Sequence, residues 1–482
     1  MRSISQILKF LDIQTLSPNN FQIESLSLDS RKCDEKSVFI ALKGLSTDGN
    51  KYIDSVLAKN VSLVLTDSHE FEDQKRVFYI QSLKEKLSNL AIWFYDYKKP
   101  QNIIGITGTN GKTSISSYIA QLKKLIGQKS LLLGTNGNGI YPDLQESTHT
   151  TLDILSLYQT ISYYKDYQNL VMEVSSHSLD QKRTEGLDFD IVVFSNLSHD
   201  HLDYHKTMDN YFEAKAKLFQ FKSLKKAVIN IDDEYGQKLC EVCDCEIVTV
   251  SLKSKKADIY LESKSIESMQ TSFDLYISQK YTGTYQTSLV GEFNLMNLGL
   301  SLAVLDDSST REQLLENIFK LKPVKGRMEV IALANGAKII IDYAHTPDAL
   351  EKALQTLANY YPNNLWCIFG CGGNRDTTKR PIMAEIAEEY ANKVVVTEDN
   401  NRFENIESIF DDIKKGFSHP ERHTFIDSRE KAIKYTIENS KANDVILLAG
   451  KGHECYLDKN GIKEYFDERE VIAKYKNTTP ST

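Results

Sequence analysis

Short apolar runs separated by amphipathic stretches recur along the whole chain and fall into three regions. Up to about Lys98 the runs VFIAL, VSLVLT and VFYIQ predict strands. Leu83, Leu87, Leu90 and Phe94, at helical spacing, predict one amphipathic helix. The polar stretch Asp96–Pro100 ends in proline and marks a linker. The second region opens on NIIGIT, a buried strand, followed after Lys112 by a helix with Ile115, Ile119, Leu122 and Ile126 on one face. Gly127 suits its C-terminal cap. LVMEV, DIVVFSNLS, KAVINID and EIVTV predict further strands with helices between several of them, which favours a largely parallel sheet. Ala257–Val290 alternates polar and apolar residues and predicts an antiparallel patch. From about Gly326, AKIIIDYA, LWCIFGCGG, KVVVTEDN and DVILLAGKG alternate with helical stretches, the pattern of a doubly wound α/β unit.

The predicted fold class is therefore α/β, in three domains over 1–98, 99–325 and 326–482. A chain of 482 residues is too long for one core, which rarely grows past about 250–300 residues. The net charge of −8 gives no reason to expect nucleic-acid binding. No apolar run approaches the ~20 residues of a membrane span, and the N-terminal stretch is too polar for a signal peptide. Seven scattered cysteines fit a reducing compartment, so a cytoplasmic location is expected, and with nothing to suggest an obligate assembly a monomer is expected. Cys240, Cys243 and Cys245 cluster in CEVCDC, but no fourth ligand lies nearby in sequence for a zinc site.

Candidate chemistry begins after NIIGIT. The stretch Gly108-Thr109-Asn110-Gly111-Lys112-Thr113-Ser114 sits between strand and helix, the context of a phosphate-binding loop. Backbone N–H groups and a helix N-terminus would face phosphate, with Lys112 on the terminal phosphates and the Thr113 hydroxyl on Mg²⁺. Five residues separate Gly105 from Gly111, where the common pattern has four, so a tight strand–helix turn is the competing reading. Glu173, at the end of an apolar strand, needs a cation or a set of N–H donors. In NLSHDHLDYH, His199 and His201 stand two apart, so a helix would point them apart. A phosphate or magnesium site is at least as plausible there as zinc, and a polar loop is the bland alternative. The glycines of GCGG invite a dinucleotide reading, but no acidic ribose partner follows at the expected place.

Taken together these stretches resemble the Mur ligases of peptidoglycan synthesis, and among them the MurE type. That family's GxxGTNGKT loop is matched by Gly105–Thr113, so the extra residue is the family's own variant. LDSR at Leu28–Arg31, Thr150-Thr151, EVSSH with Gln181 and Arg183, NLSxDHLDYH, EAKAKLF, NxDD, GEFN, GRME, DYAHTPDAL, GCGGNRD and GKGHE follow in family order over essentially the whole chain. The resemblance implies a UDP-binding N-terminal domain, a central ATP-binding domain and a C-terminal Rossmann-like domain that takes the amino acid. It implies ATP-driven addition of an amino acid to the D-Glu γ-carboxylate of UDP-MurNAc-L-Ala-D-Glu through an acyl phosphate. By motif match, Lys112 contacts the ATP phosphates, and Thr113, Glu173 and His201 hold Mg²⁺. Lys215 matches a lysine that carries a CO₂-derived carbamate and so becomes a further metal ligand. Asn294, Arg327 and Asp342 match nucleotide contacts. Leu28 and Ser30 match the uridine segment, and Thr150, Thr151, Ser175, Gln181 and Arg183 match contacts to the rest of that substrate.

For the added amino acid, the resemblance points to Arg375, Asp399, Asn400, Arg402, Gly450 and Glu454. A DNPR segment marks relatives that add meso-diaminopimelate, whose distal carboxylate meets the arginine. Here it reads Asp399-Asn400-Asn401-Arg402. Losing the proline frees the backbone and adds an N–H donor. Arg402 still argues for an anionic end on the substrate, since a buried arginine without a partner is costly. L-Lysine is the alternative substrate, and pairing of Arg402 with Glu404 is the structural alternative. His199, Asn50 and Ser178 stand where relatives often carry Arg, His and Ala or Gly.

Overall fold

A computed structural model describes residues 1–477 except 15–18, 45–46, 72–73, 148, 268–269, 306–308, 360 and 362–363. The chain forms two compact units, grouped by contact density and not by chain order. The first takes Met1–Gly105, Gln128–Asp190 and Phe221–Leu224; the second takes Ile106–Gly127, Ile191–Gln220 and Lys225–Thr482.

In the first unit the strands Ser25–Ser27, Ser37–Ala41, Leu63–Thr66 and Val77–Tyr79 form a parallel sheet in sequence order. Most of their apolar residues are buried, Val38, Phe39, Val64 and Leu65 fully so, while Phe78 and Tyr79 are half-buried. The helix Leu83–Phe94 buries Leu83, Leu87, Leu90 and Phe94, the face its spacing predicts. A second set of strands runs in the order Asn102–Thr107, Asn169–Glu173, Ser130–Gly134, Gly137–Ile140. The last strand turns back antiparallel on its neighbour.

The strand Asn102–Thr107 carries the chain into the second unit and ends at the glycine loop. The helix Lys112–Leu125 follows, with Ile115, Ile119 and Leu122 fully buried. Gly127 adopts φ +79°, the left-handed stop expected of it. Strands Ile191–Phe194, Lys226–Asn230 and Glu246–Ser251 pair in parallel. Ile259–Glu267, Gln270–Ile277 and Lys280–Thr287 then close the sheet as an antiparallel meander, as the alternation predicts. The helix Glu292–Leu305 is apolar nearly all round and correspondingly buried from Asn294 to Leu305.

The second sheet of this unit has the order Glu329–Ala332, Lys338–Asp342, Val445–Ala449, Leu365–Phe369, Lys393–Thr397, Thr424–Ile426. All but the first strand run parallel. Both faces are covered, so neighbouring residues on a strand go to opposite cores. Ile340 packs with Leu350, Leu354 and Met383 on one side, while Ile339 and Ile341 pack with Ile433 and Ile472 on the other. Arg429 and Glu468, both without exposed side-chain surface, pair at 2.7 Å. Arg429 also donates to the carbonyls of Glu398 and Ala449, which ties together two strand ends on either side of Leu365–Phe369. Those ends lead into Asp399–Arg402 and Gly450–Glu454, at the carboxyl edge where open α/β sheets bind ligands.

Candidate active site

The glycine loop is built from the backbone outward. Gly108 adopts φ +148°, and a Cβ there would overlap the Ser195 hydroxyl, so this position requires glycine. Thr109 N–H donates to the Asn196 carbonyl at 2.8 Å, and Asn110 N–H donates to Asn196 Oδ1 at 2.9 Å. The end of Ile191–Phe194 thus splints the loop. Gly108→Ala is expected to raise KM for ATP about 10-fold, from the ~1–2 kcal/mol of left-handed strain alone. Initial rates against ATP concentration check this, and an unchanged KM would refute the role given to the loop.

Lys112 opens the helix and folds back, donating to the carbonyls of Gly108 at 2.8 Å and Thr109 at 2.9 Å. Lys215, 1% exposed, donates to the same Gly108 carbonyl at 2.8 Å and lies 4.6 Å over the Tyr211 ring. Burial, with the Lys112 ammonium nearby, pushes the Lys215 amine well below its ordinary 10.5, against an opposing pull from Asp200. Two cations on one carbonyl would repel, so a neutral Lys215 is the consistent state. Tyr211 completes this wall: its hydroxyl meets Thr109 Oγ1 at 3.2 Å and its ring stacks on His205.

His201 adopts φ +54° at the start of the short helix Leu202–His205, with its Nε2 3.4 Å from Asp200 Oδ2. Burial alone would raise the Asp200 carboxyl, but His201, His345 and Lys379 outweigh it and hold it below its usual range. Burial and the Lys379 ammonium depress His345, whose Nδ1 donates to the Tyr343 carbonyl at 2.7 Å.

Arg327 and Asp342 lie on the same unit as the loop. Arg327 Nη2 is 3.3 Å from Thr113 Oγ1, and its guanidinium lies 4.4 Å over the Tyr343 ring. Asp342, at the end of its strand, accepts the N–H groups of Met328 and Ala344 at 2.8 and 2.9 Å. Burial pushes its carboxyl upward despite Arg327. Asp348, on the first turn of Pro347–Ala358, accepts the Asn110 side-chain amide at 2.8 Å and the Ser198 hydroxyl at 3.3 Å. Asn294 is 1% exposed, and its amide is held by the Tyr118 hydroxyl at 3.2 Å and the Val290 carbonyl at 2.9 Å.

At the edge of the second sheet, Asp399, Asn400, Gly450 and Glu454 come together. Asn400 Nδ2 donates to Glu454 Oε2 at 3.0 Å, and a Cβ at Gly450 would press on Asp399 Oδ2. Lys451 and Arg429 overcome the burial that would otherwise raise Asp399 and hold its carboxyl low. Arg402 adopts φ +52°, and its Nη1 donates to the Gly373 carbonyl at 2.8 Å. Glu404 is taken by the fully buried Arg380 at 2.7 Å, so the Arg402–Glu404 pairing is not formed. Among the described residues Arg402 has no ion pair. Arg375 is exposed nearby in sequence. The GCGG glycines serve packing: a Cβ on Gly370 would overlap the Thr397 carbonyl, and one on Gly373 the Asn401 carbonyl.

In the first unit Glu173 is 1% exposed and accepts the Thr135 N–H at 2.8 Å and its hydroxyl at 3.1 Å. This is the backbone-capping arrangement weighed against a metal ligand. Thr151 Oγ1 donates to the Glu173 carbonyl and accepts the Ser175 N–H at 3.1 Å, while Thr150 meets Thr135 at 3.2 Å. Arg183 binds Gln181 Oε1 through Nε and Nη2 and the Thr151 carbonyl through Nη1, tying these four positions into one network. Leu28 and Ser30 flank Asp29, whose carboxyl the Arg31 hydrogen bond lowers to about 2. Asn50 donates to Asp48 and Asp67 and accepts the Thr66 hydroxyl.

The Cys243 and Cys245 sulfurs are 3.3 Å apart. Among the described residues no three His, Cys, Asp or Glu side chains gather as a metal site, and no helix is long and apolar enough to cross a membrane. Residue-by-residue reading missed Tyr211, Asp348, His345, Lys379 and Lys451. The signal was present, because each lies within or beside a motif already quoted.

Three family models match the chain: "Mur ligase family, catalytic domain" over 22–95, "Mur ligase middle domain" over 106–305, and "Mur ligase, glutamate ligase domain" over 326–452. The chain belongs to the Mur ligase family. Among its relatives is the UDP-N-acetylmuramoyl-L-alanyl-D-glutamate--2,6-diaminopimelate ligase of Buchnera aphidicola subsp. Schizaphis graminum. It is 40% identical over 471 residues, covering 94% of this chain and 95% of that protein. A solved structure of a ligase of that name is 36% identical, with TM-score 0.65 and 98% of both chains covered. MurF from Acinetobacter baumannii, 15% identical with TM-score 0.69 over 99% of both chains, shares the fold.

Proposed function

We propose that the chain is an ATP-dependent ligase that joins meso-2,6-diaminopimelate to the D-Glu γ-carboxylate of UDP-MurNAc-L-Ala-D-Glu. Relatives named for that pair of substrates match nearly its whole length. The observation that carries the amino-acid choice is Arg402, a guanidinium held by backbone carbonyls with no carboxylate of its own. An anionic substrate end supplies the missing partner. The segments 1–98, 99–325 and 326–482 are proposed as its domains, since the matched family models fall within them. ATP as co-substrate argues for work in the cytoplasm.

The reaction has two transfers. A carboxylate oxygen of D-Glu bonds to the γ-phosphorus as the β–γ bridging bond breaks, giving acyl phosphate and ADP. The amine then attacks the acyl carbon, inorganic phosphate leaves, and the ammonium proton is released. The chain's part is positioning and charge stabilisation. Residues 108–114 and Lys112 receive the phosphates, and Lys112 exchanges its bonds to Gly108 and Thr109 for them. Arg327, beside Thr113, adds charge at the same end, and Asp342 and Asn294 flank the nucleotide. Thr150, Thr151, Ser175, Gln181 and Arg183 orient the peptide substrate, and Leu28 and Ser30 the uridine.

Mg²⁺ takes oxygen donors, and an ammonium at Lys215 would repel it. A neutral, buried Lys215 adds CO₂ to give –NH–COO⁻ with loss of a proton, and the product presents oxygen donors. On that condition the Thr113 hydroxyl and the Lys215 carbamate would fit the ion, with His201 supported by the motif match alone; when bound, the ion would neutralise phosphate charge. For Glu173 the motif match is the support, since Thr135 engages its carboxylate.

Phosphate release from ATP with UDP-MurNAc-L-Ala-D-Glu, comparing meso-diaminopimelate and L-lysine, tests this reading. Dependence on diaminopimelate is expected; preference for lysine would overturn the role of Arg402, and release with neither would overturn the reaction. Arg402→Met is expected to lower kcat/KM for diaminopimelate by about 2 kcal/mol or more, roughly 30-fold. Its use of L-lysine should fall far less.

A further inference from the structure

Lys451 stands at the centre of the amino-acid pocket, yet no motif match gives it a contact. Its side chain has no exposed surface. Its Nζ donates to Glu454 Oε2 at 2.6 Å and to Asn400 Oδ1 at 2.9 Å, lies 3.8 Å from Asp399 Oδ1, and sits 4.8 Å over the Tyr456 ring. Two of the three ammonium donors are taken by Glu454 and Asn400, and Asp399 lies at ion-pair distance.

The consequence falls on Glu454. Its Oε2 receives both Lys451 and the Asn400 amide. Among the described residues its Oε1 receives only the Tyr343 and Tyr456 hydroxyls, at 3.5 and 3.4 Å. The two oxygens are therefore unequal: one is saturated, the other is loosely held. Lys451 also fixes the Asn400 amide, whose Oδ1 accepts the Asp458 N–H at 2.9 Å, and so steadies the turn that carries Arg402.

We infer that Lys451 is a positioning residue for the amino acid: it saturates Glu454 Oε2, reserves Oε1 for one substrate ammonium, and holds the Asn400–Arg402 turn in register. The inference rests on the ligase reading above. It acts through Glu454, so the two residues should not count twice.

The experiment uses the full chain and phosphate release. Lys451→Met is expected to raise KM for meso-diaminopimelate about 30-fold. Its kcat and its KM for ATP and for UDP-MurNAc-L-Ala-D-Glu should stay within about 3-fold of wild type, inside the spread of an indirect effect. Glu454→Gln should give a similar rise, and the double variant should be no worse than either single one. Lys451→Ala assayed with ethylammonium should recover part of the lost KM, which a purely structural role would not allow. A fall in kcat with KM for the amino acid unmoved, additive losses, or failure of both Lys451 variants to fold would overturn the inference. Wild-type enzyme that releases no phosphate with any diamino acid would instead overturn the ligase reading itself.

Discussion

Lys215→Met is expected to lower kcat about 10³-fold or more and yet to leave the protein more stable at neutral pH. The first effect follows from the proposed role of Lys215, since methionine cannot form the anionic carbamate that would hold Mg²⁺. The second follows from burial. The folded chain holds the Lys215 amine neutral well below its ordinary 10.5, whereas the unfolded chain protonates it. The unfolded state thus binds more protons, so stability tied to this group rises as pH climbs toward 10.5 and is lost as pH falls below it. Methionine removes that cost, and its advantage should narrow as pH rises. A carbamate has no such amine, so bicarbonate should flatten the wild-type slope. Urea unfolding at pH 7 and pH 10, with and without bicarbonate, reads the stability and phosphate release reads kcat. A Met variant with ordinary turnover would remove Lys215 from the chemistry.

Lys112→Ala is expected to lose about 10³-fold in the first transfer while the fold is retained. Its side chain is half-buried and donates to the loop carbonyls of Gly108 and Thr109, and the stability change should stay below about 1 kcal/mol. Formation of ADP without amino acid isolates that step. Equal loss in KM for the amino acid would mean that the loop had collapsed and that Lys112 was not acting on phosphate.

Much of this architecture is legible in the chain because it rests on local rules. NIIGIT, the apolar face from Ile115 to Leu122 and the alternation after Ala257 each become the element their period predicts. The hairpin strand Gly137–Ile140 is not legible, since its glycines show no apolar period and its pairing with Ser130–Gly134 makes it a strand. Residue types in the site are legible, but their partners are not. Glu173 reads equally well as a metal ligand or a cap, and the choice of Thr135 comes from a hairpin turn 38 residues away. Glu404 is two residues from Arg402, but Arg380 takes it because a fully buried guanidinium has the greater need of charge. Lys215 reads as a solvated helical lysine until tertiary packing buries it.

Asp348 places an acid at the tip of a loop built to receive a polyanion. Its carboxylate grips the Asn110 amide and is itself paired with Lys352 at 2.7 Å. Each phosphate charge drawn to that loop works against the grip. Linkage makes the effect mutual: whatever free energy the nucleotide spends in loosening Asn110 from Asp348, loosening that contact returns as nucleotide affinity. Together with the Ser198 hydroxyl, the Asn110 amide would therefore couple occupancy of the proposed phosphate loop to the helix Pro347–Ala358, and through that helix to the sheet whose carboxyl edge carries the proposed amino-acid pocket.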